Sequence, residues 1–294
     1  MVNDGIRTAL SDLTGALVPL SARNLQSELE ERMERVPNRL NEYGFDPYGL
    51  SPEWLRRGAL PGLLLYRYYF RCEAFQADRV PEGRVLVIAN HAGQLPFDGA
   101  MLNMALLLEC EPPRIARAMG EYWIPQLPFV SVTATRGGAM VGTPENCVHM
   151  LENEECVVAF PEGVRGMNKL FKERYQLQRF GNGFMRLALE TNTPIVPVGI
   201  VGSEEQNPGI ARLDRLGRAL GMPALPITWA FPWLGPAGML PLPVKYRIYF
   251  GAPMHFEGDA SEEDAVVERK VEQVKDQISA LLQRGLRERA GVFR

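Results

Sequence analysis

The chain has 294 residues, 46% hydrophobic and 23% charged, a balance that suits a globular protein with a sizeable core and excludes a disordered or fibrous one. Its formal net charge of −3 gives no electrostatic reason to expect nucleic acid. The four cysteines, Cys72, Cys110, Cys147 and Cys156, show neither CxxC spacing nor the density of a secreted disulfide scaffold, so reduced thiols are expected.

In chain order, the first residues lack the basic-then-apolar pattern of a signal peptide. Residues 1–50 are polar and read as helical, most clearly over 24–36, before a turn-rich break at 41–49. Pro61 suits the first turn of a helix over 63–71, with Arg67 and Arg71 one turn apart. That helix fits either against the core or in a lipid interface, where tyrosines flanked by arginines are favoured. Residues 1–75 thus read as an N-terminal helical extension and 76–294 as the main domain.

From Gly83 onward, apolar strand candidates at 85–89, 115–119, 129–135, 156–160, 195–201, 227–231 and 246–250 alternate with helical stretches at 98–108, 144–152 and 183–190. The expected fold class is α/β, with a mostly parallel central sheet of about seven strands covered by helices. Ser261 and Asp264 have the spacing of a capping box for a terminal helix. Val267, Val271, Val274, Ile278 and Leu281 give that helix one apolar stripe. The longest uncharged tract, 219–244, is broken repeatedly by proline and cannot span a membrane as a helix. Its bulky groups, Trp229, Phe231, Trp233, Leu234, Met239 and Leu240, suit an acyl channel or an interfacial loop.

Three strand candidates end in polar residues near glycine. The run 85–89 leads into Asn90-His91, and Asp98 follows at the start of a helix. A carboxylate is favoured there by free amides and the helix dipole. Within reach of the imidazole it makes a general base with its orienting partner. On these two residues alone, a simple cap and a hydrogen-bonded turn histidine fit as well. The run 129–135 leads into Arg136-Gly137-Gly138, and 156–160 into Pro161-Glu162-Gly163-Val164-Arg165-Gly166. Gly163 and Gly166 permit close backbone approach, and Arg165 can clamp a phosphate or carboxylate with two parallel bonds. Lys169, Lys172, Arg174, Arg179 and Arg186 follow with only Glu173 among them; they read as a solvated face or an anion-binding patch. Cys147, His149 and Cys156 match no common zinc spacing, and no metal site is expected.

The order Asn-His…Asp, an arginine after a strand, Phe-Pro-Glu-Gly-Val-Arg, then Pro194-Ile-Val-Pro-Val198 resembles the glycerolipid acyltransferase superfamily, which includes the glycerol-3-phosphate and lysophosphatidic acid acyltransferases, from about residue 71 to 251. The family pattern has four residues between His and Asp, whereas six, Ala92 to Phe97, intervene here. The resemblance implies a transferase that moves a fatty acyl group from acyl-CoA or acyl carrier protein to a hydroxyl of a lipid acceptor such as lysophosphatidic acid. It implies His91 and Asp98 as catalytic, and Arg136, Glu162, Gly163 and Arg165 as substrate-binding. The activated serine or cysteine of an acyl-enzyme is absent from these motifs. No cofactor is expected beyond the co-substrate, and the expected location is cytoplasmic, peripherally on the membrane surface. A neutral acceptor (diacylglycerol or a long-chain alcohol) and a thioester or ester hydrolase using the same base are the alternatives.

Overall fold

The computed structural model describes residues 20–36, 40–120, 130–219 and 224–294. Nine strands are found among them: β1 (Glu73–Phe75), β2 (Val85–Ala89), β3 (Arg117–Gly120), β4 (Met140–Val141), β5 (Cys156–Ala159), β6 (Ile195–Val201), β7 (Gly209–Leu213), β8 (Leu225–Thr228) and β9 (Arg247–Phe250). Seven form one sheet in the order β1-β9-β6-β2-β5-β3-β4. Every pairing is parallel except β6 with β9. β7 and β8 form a separate antiparallel ribbon.

The central strands are continuous apolar runs because both faces of the sheet are covered. Along β2, Val85, Val87 and Ala89 join one core cluster while Leu86 and Ile88 join the other. This alternation with no polar face is what a parallel sheet between two helical layers requires. One layer contains α1 (Leu20–Glu34), α2 (Pro52–Leu64) and α3 (Phe97–Glu109). The other contains α5 (Pro144–Glu152), α7 (Gly183–Thr191) and the terminal helix α9 (Asp264–Glu288). Val267, Val271, Val274, Ile278 and Leu282 are the buried stripe of α9, and Gly199 of β6 lies close enough that a Cβ there would meet Leu281 at 2.8 Å.

Five of the seven expected strands lie in this sheet; the other two do not. The described part of 129–135 is a helix, α4 (Val130–Arg136). Its β-branched residues resemble a strand, but the glycines that follow close a helix. Gly137 N donates to Thr133 O at 3.0 Å, and Gly138 takes φ +94°. The candidate at 227–231 is displaced to β8, in the ribbon. There Thr228 Oγ1 accepts from Ala230 N and Phe231 N and turns the chain away. The edge strands β1 and β4 have three and two residues, too few to show periodicity.

Two helix starts also differ from expectation. Ser51 caps α2, with Pro52 in the first turn and Ser51 Oγ accepting from Trp54 N at 3.3 Å. Pro61 therefore lies inside the helix, which continues as a π-helical turn over Leu65–Tyr69. Ser261 bonds to Asp259 rather than boxing α9, which begins one residue after Glu263. The short remaining helices are α6 (Val164–Met167) and α8 (Asp214–Ala219). Among the described residues no helix is long and apolar enough to cross a membrane.

Candidate active site

β2 ends at Ala89 and hands its pairing to a side chain. Buried Asn90 donates from Nδ2 to Ile200 O at 3.1 Å and accepts at Oδ1 from Ile200 N at 2.7 Å. This pair of hydrogen bonds satisfies both backbone groups of Ile200 on β6 where β2 leaves the sheet. His91 comes next, 8% exposed. Its ring stacks on Phe160 at 4.3 Å and 24°. Its Nδ1 lies 2.7 Å from Asp98 Oδ2.

Asp98 reaches the imidazole because the longer loop folds back. Gly93 and Gln94 take positive φ values, +95° and +64°. Gln206 Nε2 donates to Gly93 O and Leu95 O at 3.1 and 3.2 Å, and is itself held by Tyr246 Oη, which donates to Gln206 Oε1 at 2.5 Å. The fully buried Asp98 also accepts from Ala92 N and Gly99 N, each at 2.8 Å. Its oxygens therefore face three donors in one fixed orientation. A proton on Nδ1, donated to Asp98, leaves Nε2 with a lone pair. No described residue hydrogen-bonds Nε2.

β5 delivers the second group. After Ala159, Phe160 stacks on His91 and Pro161-Glu162-Gly163 turns sharply, with Gly163 at φ +54°. Glu162 is 1% exposed and fully engaged. Its Oε1 accepts from His91 N at 2.9 Å, and its Oε2 accepts from Gln178 N at 2.7 Å and lies 3.3 Å from Lys169 Nζ. The motif carboxylate thus holds the histidine backbone rather than Arg165. Gly166 allows this contact, since a Cβ there would meet His91 O and Glu162 Cβ at 2.8 Å each. Its close approach is to the histidine, not to a ligand. Arg165 is exposed, with Nη2 donating to Arg179 O at 3.2 Å. Together with Phe160, Glu162 and Gly163 it lines an open cleft of about 440 Å³.

Arg136 is not brought to this cluster by any described contact. It ends α4, its guanidinium over the rings of Trp54 and Phe45 at 4.9 and 5.6 Å. The basic group after the motif is also dispersed. Arg179 and Arg186 pair with Glu268 and Asp264 on α9, and Arg174 lies over its own neighbour Phe171. Those acids come from far along the chain, so the local excess of positive charge does not form a patch. Cys147 and Cys156 are buried, which pushes each thiol up to about 11, and His149 Nδ1 is 2.6 Å from Tyr48 Oη.

Lys169 has a different place, in a buried charge relay beneath His91. Its Nζ donates to Glu204 Oε1 at 2.9 Å, and Glu204 Oε2 accepts from Tyr175 N at 2.7 Å. Tyr175 Oη donates to Glu205 Oε2 at 2.7 Å, and Arg289 Nη1 donates to both Glu205 oxygens at 2.8 and 2.6 Å. Burial pushes Glu204 up to about 7 although Lys169 pulls it down. Ser203-Glu204-Glu205-Gln206 follows the apolar run of β6 after Gly202. A third strand ending in polar residues repeats the signal that marks His91 and Glu162, and it points to Glu204 and Gln206 as parts of the site.

The acyltransferase family model matches residues 71–201, which hold the His91 and Glu162 strand ends. An uncharacterized protein of Mycobacterium leprae is 36% identical over 278 residues, covering 91% of this chain and 76% of that protein. One from Mycobacterium tuberculosis H37Rv is 36% identical over 258 residues, 86% of this chain and 72% of that protein. A human protein named DGAT1/2-independent enzyme synthesizing storage lipids is 25% identical over 216 residues, 71% of this chain and 60% of its own length. The crystal structure of the 1-acyl-sn-glycerophosphate (LPA) acyltransferase of Thermotoga maritima shares the fold, with a TM-score of 0.51 at 14% identity, over 97% of this chain and 90% of that one. By matched model, this chain carries an acyltransferase-family domain over residues 71–201, in an α/β architecture shared with the Thermotoga maritima protein.

Proposed function

We propose that the protein transfers a fatty acyl group from an acyl thioester of coenzyme A or acyl carrier protein directly to a hydroxyl of a lipid acceptor. The observation that carries this reading is the His91 Nδ1–Asp98 Oδ2 contact of 2.7 Å beside the open cleft. The Nε2 lone pair takes the hydroxyl proton as that oxygen attacks the thioester carbonyl. The C–O bond forms, the C–S bond breaks, and the thiolate leaves and recovers the proton from the imidazolium. Asp98 holds the ring orientation and offsets its transient charge. A thiol of pKa about 8.5 leaves readily near neutrality, so a separate acid is not needed.

For the acceptor, Arg165 on the cleft wall supports a phosphate-bearing lysolipid such as lysophosphatidic acid, held at its headgroup. Glu162 and Gly163 contribute by shaping the wall, Glu162 through His91 N rather than by touching substrate. Arg136, packed on Trp54 and Phe45, joins in acceptor binding only if those rings release it. That engagement, and relatives named for synthesizing storage lipids, support a neutral acceptor such as diacylglycerol as the second reading. The hydrolase alternative uses the same base on water.

A labelled acyl thioester incubated with lysophosphatidic acid, diacylglycerol or buffer separates the three. Transfer to lysophosphatidic acid, with thiol release rising as acceptor is added, is the expected result. Labelled triacylglycerol selects the neutral acceptor, and free fatty acid released at a rate indifferent to acceptor overturns the transferase reading.

A further inference from the structure

The ribbon β7–β8 stands outside the main sheet and leaves apolar groups uncovered. Ile210 and Leu213 on β7 and Leu216 on α8 are exposed, as are Trp229, Trp233 and Leu240 in the loop that follows β8. Trp233 is 75% and Leu240 68% exposed. A solitary two-stranded ribbon is marginal in water, and a cluster of exposed tryptophan and leucine marks an interaction surface. The loop is nevertheless built rather than loose. Trp229 N donates to Pro208 O at 3.2 Å, Thr228 Oγ1 donates to Gly238 O at 3.3 Å, and Leu242 N donates to Gln206 O at 2.6 Å. A Cβ on Gly217 would meet the Ala224 backbone at 2.4 Å, so α8 is seated on the start of β8.

Charge indicates what covers this face. Between Asn207 and Val244 the charged residues are Arg212, Asp214, Arg215 and Arg218, a positive excess in a chain of net charge −3. Arg212 is exposed and lies 3.7 Å from Asp214, and Arg215 is exposed beside them. Tryptophan favours the headgroup level of a bilayer, leucine the acyl boundary beneath it, and arginine the anionic phosphates above. The ribbon also starts beside the His91 loop. A Cβ on Gly209 would meet Gln94 Nε2 at 2.7 Å and Lys169 O at 3.3 Å, residues of the His91 loop and of the relay beneath it.

The other candidate membrane element, 63–71, turns its charges inward. Arg67 pairs with Glu28 and Glu109, and Arg71 donates to Pro243 O, leaving Leu64 and Tyr68 exposed without them.

We propose that the β7–β8 ribbon, α8 and the 229–240 loop form the surface that seats the protein on an anionic phospholipid bilayer, with the acceptor reaching His91 along the ribbon. The route to His91 rests on the acyl-transfer reading; the seating does not.

The full chain is tested by flotation with vesicles of equal phosphatidylcholine and phosphatidylglycerol, and of phosphatidylcholine alone. The wild type floats with the anionic vesicles and more weakly with the neutral ones. Trp233→Ser with Leu240→Ser lowers the partition coefficient by more than about tenfold and leaves the melting temperature unchanged. The same double variant keeps the wild-type rate on an acceptor dissolved as monomers and loses rate on vesicle-embedded acceptor. Flotation of the double variant equal to wild type, or no flotation of the wild type, overturns the proposal. So does loss of acyl carrier protein binding in the double variant with flotation intact, which assigns the face to a protein partner. If flotation responds as expected but neither form acylates any acceptor, the seating stands and the acyl-transfer reading fails.

Discussion

Replacing His91 by alanine lowers acyl transfer by about 10²–10⁴-fold while the chain stays folded. The rate effect follows from the loss of the Nε2 lone pair, which no described residue hydrogen-bonds and which has the buried Asp98 carboxylate behind it. The fold survives because the parts that shape the turn do not depend on the imidazole. Glu162 binds the residue 91 backbone N–H, and Asp98 keeps Ala92 N and Gly99 N as donors. Some packing on Phe160 is lost, a modest effect confined to one ring contact. Steady-state rates together with a thermal melt test this. A variant with near-native rate removes His91 from the chemistry, and a variant that fails to fold shows that the ring is structural.

The second large effect is on stability. Lys169→Met leaves Glu162 and Glu204 buried without the cation between them, a change on the order of 3–5 kcal/mol. Activity falls with it, because Glu162 positions the His91 backbone. Adding Glu204→Gln to Lys169→Met recovers part of the stability by removing one unpaired charge. The pH dependence carries the same signature. Glu204 is raised from 4.5 to about 7 by burial, so the native state retains a proton that the unfolded chain has lost. Stability therefore falls as pH rises between those two values and levels off above them, by up to about 3 kcal/mol for this group alone. Glu204→Gln flattens that slope. Lys169→Met extends it to higher pH, because the lysine is what holds the value down. Urea unfolding across that window measures all three, and a Lys169→Met variant as stable as wild type contradicts the relay.

Sequence pattern carried the sheet and the two motif-bearing turns, and it did so for a physical reason. β2, β5 and β6 are buried on both faces, so each is a short unbroken apolar run ending in polar residues. The helix at 130–136 was hidden by valines and threonines at alternating positions, while Gly137-Gly138 was the more informative feature. Three things were beyond local pattern. The partners of Arg179 and Arg186 lie on α9, some eighty residues away in sequence, so a scattered set of ion pairs looked like a patch. Glu162 reads locally as a substrate ligand, and only the turn's approach to the His91 backbone, allowed by Gly166, reveals its occupation. The reach of Asp98 across an unusually long spacer depends on Gln206 and Tyr246, which no spacing rule connects to it.

Direct transfer from thioester to hydroxyl, with His91 as base and no enzyme-bound acyl group, is the centre of the account. Rapid mixing of the protein with excess acyl-CoA in the absence of any acceptor tests it most directly. No burst of free thiol is expected, and release begins only when lysolipid or diacylglycerol is added. A burst stoichiometric with protein, with label retained on the chain after denaturation, contradicts it.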